Sequence, residues 1–221
     1  EKQLVEDAPL VVDVDMRYDI DIEERQHTKE HIVDAIDIYA KTISKICEVE
    51  DGQKIEVFVM EKPKVNRLDT KTKDGIHMIF GVGFHKAAHV LIRDIVMPQL
   101  KEIWDDLPLT NTIDDLIDEG ITRGTVNWQL YGSKKPNQET YLIKYHYELE
   151  WDSNKSTWNM EEHNINTFNT KKYLPKLSVR YTKFPKLKFK SEYMETIEKF
   201  KTNLNKKRRT TKMVVRTSNP I

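Results

Sequence analysis

Cysteine is nearly absent from the sequence: Cys47 is the single cysteine among 221 residues. One thiol cannot form a disulfide within the chain, and it cannot build a zinc site that needs several cysteine ligands. We therefore expect no zinc, and we expect a reducing, intracellular compartment, where disulfides are rare.

Long apolar runs are absent as well. Apolar residues make up 38% of the chain, enough for a packed core, but they occur in short runs. A membrane helix needs roughly 20 consecutive apolar residues, so we expect no membrane partner. The chain starts at Glu1 without a charged and then apolar leader, so we expect a piece of a longer protein.

The motifs of several large enzyme classes are missing too. The sequence has no G-x-x-x-x-G-K-[ST] phosphate loop, no G-x-G-x-x-G dinucleotide turn and no G-x-S-x-G nucleophile turn. His85 and His89 are four residues apart, but H-K-A-A-H lacks the glutamate of the zinc-protease motif. We therefore expect these two histidines to be packed or surface residues.

The net charge is zero, but the charges are divided unevenly. Residues 1–120 contain 15 Lys and Arg against 27 Asp and Glu, whereas residues 121–221 contain 21 against 9. An acidic half joined to a basic half suits a metal site beside a surface that binds a polyanion. Opposite surfaces that neutralise each other in a compact fold give the same division, so charge alone leaves both interpretations open.

The most informative stretch is residues 9–19, in which apolar and polar residues alternate. This period of two predicts a half-buried β-strand. Asp13 and Asp15 then lie side by side on its polar face, where like charges repel unless a cation lies between them. Divalent metals bind carboxylate oxygens, so the pair is a candidate metal site, although acid pairs of this spacing also occur by chance. The opposite face is apolar: Leu10, Val12 and Val14.

The segments that follow predict an α+β fold. The predicted elements are a helix at 28–48 with Thr28 as N-cap, strands at 54–60 and 75–81, a helix at 84–104 and a strand at 140–151. Together with the first strand, the order is β-α-β-β-α-β, the RNA-recognition-like or ferredoxin-like arrangement. We expect a catalytic domain at 1–190 with its core at 9–151, and a C-terminal helix with a basic tail or linker at 191–221.

This arrangement brings a histidine to the acid pair. In it, the first and third strands are antiparallel neighbours at the centre of the sheet. The end of the first strand, with Asp13 and Asp15, then lies beside the start of the third strand, with His77. Because Ile76 and Met78 face the core, His77 faces the same way as the two carboxylates. Periodicity therefore predicts that two carboxylates and an imidazole share one face of the sheet.

Residues 105–137 form an insertion before the last predicted strand. It contains an acidic run, a strand-like alternation at Val126, Trp128 and Leu130, and a basic turn at 132–136. The backbone N–H groups and ammonium groups of such a turn suit phosphate oxygens, although an ordinary solvated turn has the same composition. The acidic run consists of Asp114, Asp115, Asp118 and Glu119.

The C-terminal part is polar and basic. We expect a loop or lid at 153–169, and a helix at 192–204 that is followed by a tail or linker starting with the basic run at 206–209. Residues 171–190 mix aromatic residues with eight Lys or Arg. Such a mixture suits single-stranded nucleic acid, and it equally suits an edge strand protected by lysines. The aromatic residues are Tyr173, Tyr181, Phe184 and Phe189.

Three stretches resemble the archaeo-eukaryotic primase superfamily: VVDVDMRYD, KDGIHMIF and LIDEGITRGTVNWQLYGSKKPN, in this order. They are most similar to the primase module on the N-terminal side of primase–helicases from large nucleocytoplasmic DNA viruses. The resemblance covers residues 9–151. It implies template-directed synthesis of primers, and often their extension as in a primase-polymerase, from nucleotide triphosphates on single-stranded DNA, with two Mg²⁺ or Mn²⁺ ions. It also implies a helicase domain in the same full-length chain, acting in the host cytoplasm or at a viral replication site.

The resemblance also implies roles for individual residues. Asp13, Asp15 and Asp118 match the metal-binding carboxylates of the family, with Glu119 as the alternative to Asp118. His77 matches the histidine that contacts the incoming triphosphate. The other residues implied to bind phosphate or sugar are Arg17, Arg123, Ser133, Lys134 and Lys135.

One position departs from the family pattern. Many members have serine two residues before the histidine, whereas this chain has Gly75. A hydroxyl contact to phosphate would therefore come from Thr72 or Ser133, or a backbone N–H would replace it.

Three other functions remain open from the sequence. A non-catalytic module that binds single-stranded nucleic acid would use aromatic residues on the exposed sheet face, where the acid pair and His77 are expected here. A metal-dependent D-x-D glycosyltransferase would bind a nucleotide sugar and need no template. A scaffold that has lost catalysis would only dock a helicase.

Overall fold

The computed structural model describes the backbone of residues 1–136 and 138–217, and the side chains of these ranges as far as residue 205. The helix that we expected at 192–204 continues to residue 217, so the expectation that the basic run at 206–209 opens a tail or linker after the helix is wrong for the backbone. The side chains of this run lie outside the described residues. The proposed division of the chain at residue 190 stays a prediction.

The secondary structure confirms the α+β class and the predicted order of elements. The strands are β1 (Ala8–Tyr18), β2 (Cys47–Glu48), β3 (Lys54–Glu61), β4 (Asn66–Arg67), β5 (Thr72–Phe84), β6 (Leu142–Asp152), β7 (Thr157–His163) and β8 (Lys188–Phe189). The helices are α1 (Lys29–Ile46), α2 (Lys86–Ile103), α3 (Glu119–Arg123), α4 (Thr170–Tyr173) and α5 (Ser191–Thr217). The predicted series corresponds to β1-α1-β3-β5-α2-β6. None of the described helices is both long and apolar enough to cross a membrane.

The main sheet has six strands in the order β1-β5-β3-β6-β7, with β4 paired to β5, and the pairs are antiparallel. The predicted pairing of the first and third strands is confirmed as β1 with β5. The expectation that β1 lies at the centre of the sheet is wrong, because β6 pairs with β3 and not with β1. β1 therefore ends the strand order, and its outer edge is left for another segment.

The insertion occupies that outer edge of β1. The backbone N–H of Asp15 donates to the carbonyl of Leu116 at 2.8 Å, and the N–H of Asp118 donates to the carbonyl of Asp13 at 3.0 Å. A β-bridge between Val14 and Ile117 lies between these two bonds. An edge strand presents unpaired backbone groups, and here the insertion satisfies them. The pairing carries the acidic run directly to the acid pair.

Helices α1 and α2 cover one face of the sheet. Thr28 caps α1 as predicted, and its backbone N–H donates to Nδ1 of His31 at 3.0 Å. Helix α5 packs against α2 and adds Ile197 and Leu204 to the same core. The predicted core positions of α1 are all buried, since their spacing keeps them on one side of the helix: Ile32, Ile36, Tyr39, Ile43 and Ile46.

Two local predictions are wrong. Val126, Trp128 and Leu130 do not form a strand but belong to an irregular segment after α3, where Trp128 is buried. Alternation over only five residues is weak evidence for a strand, and a buried tryptophan accounts for it equally well. Residues 153–169 are not a loop or lid, because β7 lies within them and pairs with β6.

The aromatic residues of segment 171–190 point inward, so they do not form a stacking surface. Phe184 is buried, and Tyr173 and Tyr181 are partly buried against a second apolar cluster on the other face of the sheet. Phe189 packs against the main core and lies in β8, which pairs with β2. The rings anchor the segment, while most of its lysines stay at the surface. The second cluster is formed mainly by Val11, Phe58, Ile79, Trp128, Tyr141, Leu177 and Phe184.

The single thiol supplies a test of the core. Cys47 has no exposed surface, and burial raises the pKa of its thiol to about 12. Because the thiolate is the reactive form, we expect no reaction with a dithiobis-nitrobenzoate reagent at about pH 8 in the native protein. Full reaction is expected in concentrated guanidinium chloride. Rapid labelling of the native protein would contradict the packing at the end of α1.

Candidate active site

The register of β1 and β5 creates the first half of the site. Asp13 lies directly opposite His77, and Asp15 lies opposite Gly75. The Nε2 atom of His77 is 3.3 Å from Oδ1 of Asp13. Asp15 Oδ2 is 2.9 Å from the ammonium of Lys73. The predicted meeting of two carboxylates and an imidazole on one sheet face is therefore present.

The insertion contributes the third carboxylate. Asp118 is the N-cap of α3, and its Oδ1 accepts a hydrogen bond from the N–H of Ile121 at 2.8 Å. Its own N–H is bonded to the carbonyl of Asp13, which holds the two residues side by side. Glu119 is exposed, and its Oε1 accepts a hydrogen bond from Arg123 at 2.5 Å. Asp118 and Glu119 are the two alternatives for the third carboxylate. Asp118 lines the same cavity as Asp13 and Asp15, whereas Glu119 does not.

These groups line a cavity of about 450 Å³, which we call the central cavity. Five residues predicted as site residues line it: Asp13, Asp15, His77, Asp118 and Lys135. The other lining residues are Lys62, Asn66, Leu68, Lys73, Asp74, Gly75, Ile121, Val126, Asn127, Gln129, Gln138 and Tyr141.

Four other predicted site residues lie outside the central cavity. Arg17 contacts Asp15 at 3.4 Å but lines a neighbouring acidic cavity. Arg123 is engaged by Glu119. Ser133 is exposed and donates to the carbonyl of Leu130 at 2.6 Å. Lys134 lines a separate cavity of about 420 Å³, which shares Lys62, Asn66 and Gln138 with the central one.

Sequence reasoning missed two cations of the site, Lys62 and Lys73. A signal existed for Lys73, because it lies four residues before His77 on the same strand and period two places both on one face. Lys62 follows β3 directly, and no pattern in the sequence marks it. Neither Thr72 nor Ser133 lines the central cavity, so the hydroxyls considered as substitutes at Gly75 are not there.

The charges of the cavity influence one another. Burial acts to raise the pKa of Asp13, but the interactions with His77, Lys135 and Lys73 outweigh it, and the pKa lies below its ordinary value. Burial and the like charges of Lys135 and Lys73 lower the pKa of Lys62. Because nearby lysines disfavour the charge of Lys62, an anion bound between them would be stabilised.

Aromatic rings hold His77 in place. Its ring stacks on Tyr141 with centroids 3.6 Å apart and planes 16° apart, and Trp128 lies against it at 4.4 Å. Trp128 therefore packs beside the imidazole, and not on a nucleotide base as a stacking surface. With 3% of its surface exposed, His77 keeps a defined orientation toward Asp13.

The central cavity contains donor groups that suit a metal ion, but two of these groups are engaged by protein side chains. Three carboxylates line one cavity, and carboxylate oxygens suit Mg²⁺ or Mn²⁺. Yet among the residues that the structure describes, no three His, Cys, Asp or Glu side chains form a group that could hold a metal ion. Asp13 is engaged by His77, and Asp15 by Lys73 and Arg17. Binding of a metal ion by Asp13 and Asp15 would require these ion pairs to break.

A buried ion cluster lies beside the cavity. Arg25 binds both oxygens of Asp74, at 2.8 and 3.0 Å, and Oε2 of Glu61 at 2.6 Å. His27 Nε2 lies 2.6 Å from Oε1 of Glu61. The side chain of Asp74 has no exposed surface, and its Oδ1 also accepts from the N–H of Gly75 at 2.9 Å. The cluster therefore fixes the backbone of β5 where it passes the acid pair.

Comparisons with known proteins match most of this chain to a family of domains. A family profile described as "C962R protein N-terminal AEP domain", where AEP denotes archaeo-eukaryotic primase, matches residues 1–147. A protein of Acanthamoeba polyphaga mimivirus named "Putative helicase L207/L206" is 26% identical over 137 residues. The match covers 61% of this chain but 14% of that protein, so the chain spans a small part of its relative.

The matched range contains β1, β5 and α3, and with them all three carboxylates and His77. It covers more than half of the chain and ends within β6. The chain therefore belongs to the archaeo-eukaryotic primase family described by the C962R protein N-terminal AEP domain.

Proposed function

We propose that the chain synthesises nucleic-acid primers on a single-stranded DNA template, by phosphoryl transfer from nucleotide triphosphates, in viral DNA replication. The observation that carries the proposal is the composition of the central cavity. Carboxylates from β1 and the insertion, His77 from β5 and three lysines from separate segments line the same space. Carboxylates that suit Mg²⁺, next to cations that suit a polyphosphate, are the groups that phosphoryl transfer requires.

The carboxylates form the metal-binding part of the proposal. Asp13, Asp15 and Asp118 would hold two Mg²⁺ or Mn²⁺ ions, which supply charge neutralisation at the phosphates and an activated attacking hydroxyl. Lys73 and Arg17 form ion pairs with Asp15, so this carboxylate already attracts positive charge.

The basic groups bind and orient the triphosphate. Lys62, Lys73 and Lys135 reach the cavity from different segments and can contact a polyphosphate along its length. His77, held by its aromatic neighbours, offers a fixed ring nitrogen beside Asp13. Because in-line phosphoryl transfer depends mainly on positioning and charge neutralisation, a rigid wall of this kind suits the reaction. Lys134 could extend phosphate binding into the adjoining cavity.

A helicase region in the same full-length protein is part of the proposal. The mimivirus relative carries helicase in its name, and this chain matches only 14% of its length. We also propose that the full-length protein acts in the host cytoplasm or at a viral replication site. Coupling primer synthesis to strand separation on one polypeptide would supply the single-stranded template.

The rival functions receive less support. The aromatic rings on this face of the sheet, Phe58, Trp128 and Tyr141, are buried, so they do not offer a platform on which bases could stack. Family membership favours primer synthesis over transfer from a nucleotide sugar.

The experiment is primer synthesis by the purified chain on single-stranded DNA, with labelled ribo- or deoxyribonucleotides and Mn²⁺ or Mg²⁺. We expect short template-dependent products that disappear when EDTA removes the metal. DNA binding that is insensitive to EDTA, without nucleotide incorporation, would contradict the proposal and favour a binding module. Binding of a nucleotide sugar with no need for a template would favour a glycosyltransferase.

A further inference from the structure

The hydroxyl of Tyr141 lies at the wall of the central cavity and has no hydrogen-bond partner among the residues that the structure describes. Tyr141 is 7% exposed and lines the cavity. Its ring contacts are the stack on His77 and the ammonium of Lys62, 5.1 Å from the ring centroid. Within residues 1–136 and 138–205, no hydrogen bond reaches the hydroxyl. A hydroxyl at the wall of a cavity, without such a partner, is available to hydrogen-bond with a ligand or with water.

The position of this hydroxyl depends on Gly75. A Cβ atom on Gly75 would lie 2.7 Å from the Tyr141 oxygen and 3.0 Å from the carbonyl oxygen of Val14. Since real Cβ atoms do not approach an oxygen at 2.7 Å, a side chain at this position would displace the phenol. Glycine therefore leaves the hydroxyl in place, between the strand that carries His77 and the open cavity.

The hydroxyl of Tyr141 is suited to donate a hydrogen bond. Burial, together with the negative charges of Asp13, Asp15 and Asp74, raises the pKa of Tyr141, so the phenol stays protonated. The free volume in front of it is also lined by Lys62, Lys73 and Lys135. A protonated donor beside ammonium groups matches an anionic oxygen.

We propose that the Tyr141 hydroxyl donates a hydrogen bond to a phosphate oxygen of the bound nucleotide triphosphate. This inference rests on the proposed function, since it concerns the nucleotide of the same site. The hydroxyl that contacts phosphate would then come from neither Thr72 nor Ser133, but from Tyr141, which directly precedes β6. The stack on His77 makes the two rings a rigid pair that meets the polyphosphate together.

The test measures binding of a nucleotide triphosphate and of inorganic tripolyphosphate, with Mg²⁺, to the wild type and to Tyr141→Phe. The variant keeps the ring that stacks on His77 and removes only the oxygen. A hydrogen bond to a charged group is typically worth roughly a tenfold or greater change in affinity. We therefore expect both probes to bind about tenfold or more weakly. Tyr131→Phe is the matched control, because Tyr131 lies in the insertion but does not line the cavity. We expect this variant to bind both probes with the affinity of the wild type.

A rescue variant separates the hydroxyl from a general structural effect. In Tyr141→Phe with Gly75→Ser, the nearest ring carbon lies 3.8 Å from the new Cβ, and the serine oxygen can enter the vacated space after a small shift near Val14. We expect this double variant to regain much of the lost affinity, whereas Gly75→Ser alone should lower it.

Each outcome has a defined meaning. Equal affinity of Tyr141→Phe and the wild type for tripolyphosphate would overturn the inference while leaving the proposed function intact. A loss seen with the nucleotide alone would overturn it too, by assigning the contact to sugar or base. A lower unfolding midpoint in Tyr141→Phe would assign a structural role and contradict it. Failure of the wild type to bind either probe would overturn the proposed function itself.

Discussion

Replacing Asp13 and Asp15 together by alanine is expected to reduce primer synthesis at least about a thousandfold, equivalent to roughly 4 kcal/mol in the barrier. The two carboxylates share one sheet face, and both line the central cavity with His77. Without them, the negative charge that we propose to hold a divalent ion beside the triphosphate is lost. The measurement is the initial rate of product formation on single-stranded DNA with Mn²⁺, at equal protein concentration.

The chain offers a matched control for this variant. Asp114 and Asp115 are a second acid pair on the insertion, but they are exposed and line the neighbouring cavity only. Their double replacement by alanine removes the same charge close to the site, and we expect a rate within about threefold of the wild type. A wild-type rate for the Asp13 and Asp15 variant would exclude the proposed mechanism. A folded state for every variant is checked by circular dichroism.

Arg25→Ala is expected to lower the free energy of unfolding by about 3–5 kcal/mol, the largest stability effect that we predict. Arg25 makes charge-assisted hydrogen bonds to Glu61 and to both oxygens of Asp74. The two carboxylates are 4% and 0% exposed, so removing the guanidinium leaves negative charge away from water. The measurement is urea unfolding followed by circular dichroism or tryptophan fluorescence at neutral pH.

A surface ion pair provides the comparison. Arg67 lies 2.6 Å from Glu23, the same distance that separates Arg25 from Glu61, but both side chains of the surface pair are more than half exposed. Solvent screens such pairs, so Arg67→Ala should cost less than about 1 kcal/mol. Equal effects of the two substitutions would contradict the view that burial makes the Arg25 cluster important.

The Arg25 cluster also connects stability to the site. Asp74 accepts a hydrogen bond from the N–H of Gly75, the residue opposite Asp15. A variant that frees Asp74 should therefore loosen β5 beside the acid pair, and nucleotide affinity should fall along with stability. No pattern in the sequence marks this cluster, because its members come from three separate segments.

Several features of the site could be predicted because they depend on local periodicity. In a β-strand, alternate residues face opposite sides, whatever the neighbouring strands are. Asp13 and Asp15 therefore had to share a face, and His77 had to face away from Ile76 and Met78. The helical spacing in α1 likewise identified its buried side before any contact was known.

Other features could not be predicted because they depend on contacts between distant segments. Strand order is one of them: no pattern within β6 reveals that it pairs with β3 and not with β1. The placement of Lys134 in a separate cavity follows from the path of the insertion. The turn at 132–136 had the expected composition, but composition does not state which of its side chains reach a given cavity.

By itself, the sequence determined the series β1-α1-β3-β5-α2-β6, the faces of β1 and β5, and the motifs that resemble the primase superfamily. Tertiary structure alone decided that β1 is an edge strand, and hence that Asp118 joins Asp13 through a backbone hydrogen bond. It also decided that Tyr141 covers Gly75 and stacks on His77. The physical reason is that alternation is a property of each strand's own backbone, whereas pairing and packing are set by the balance of all segments that compete for the same edge or face.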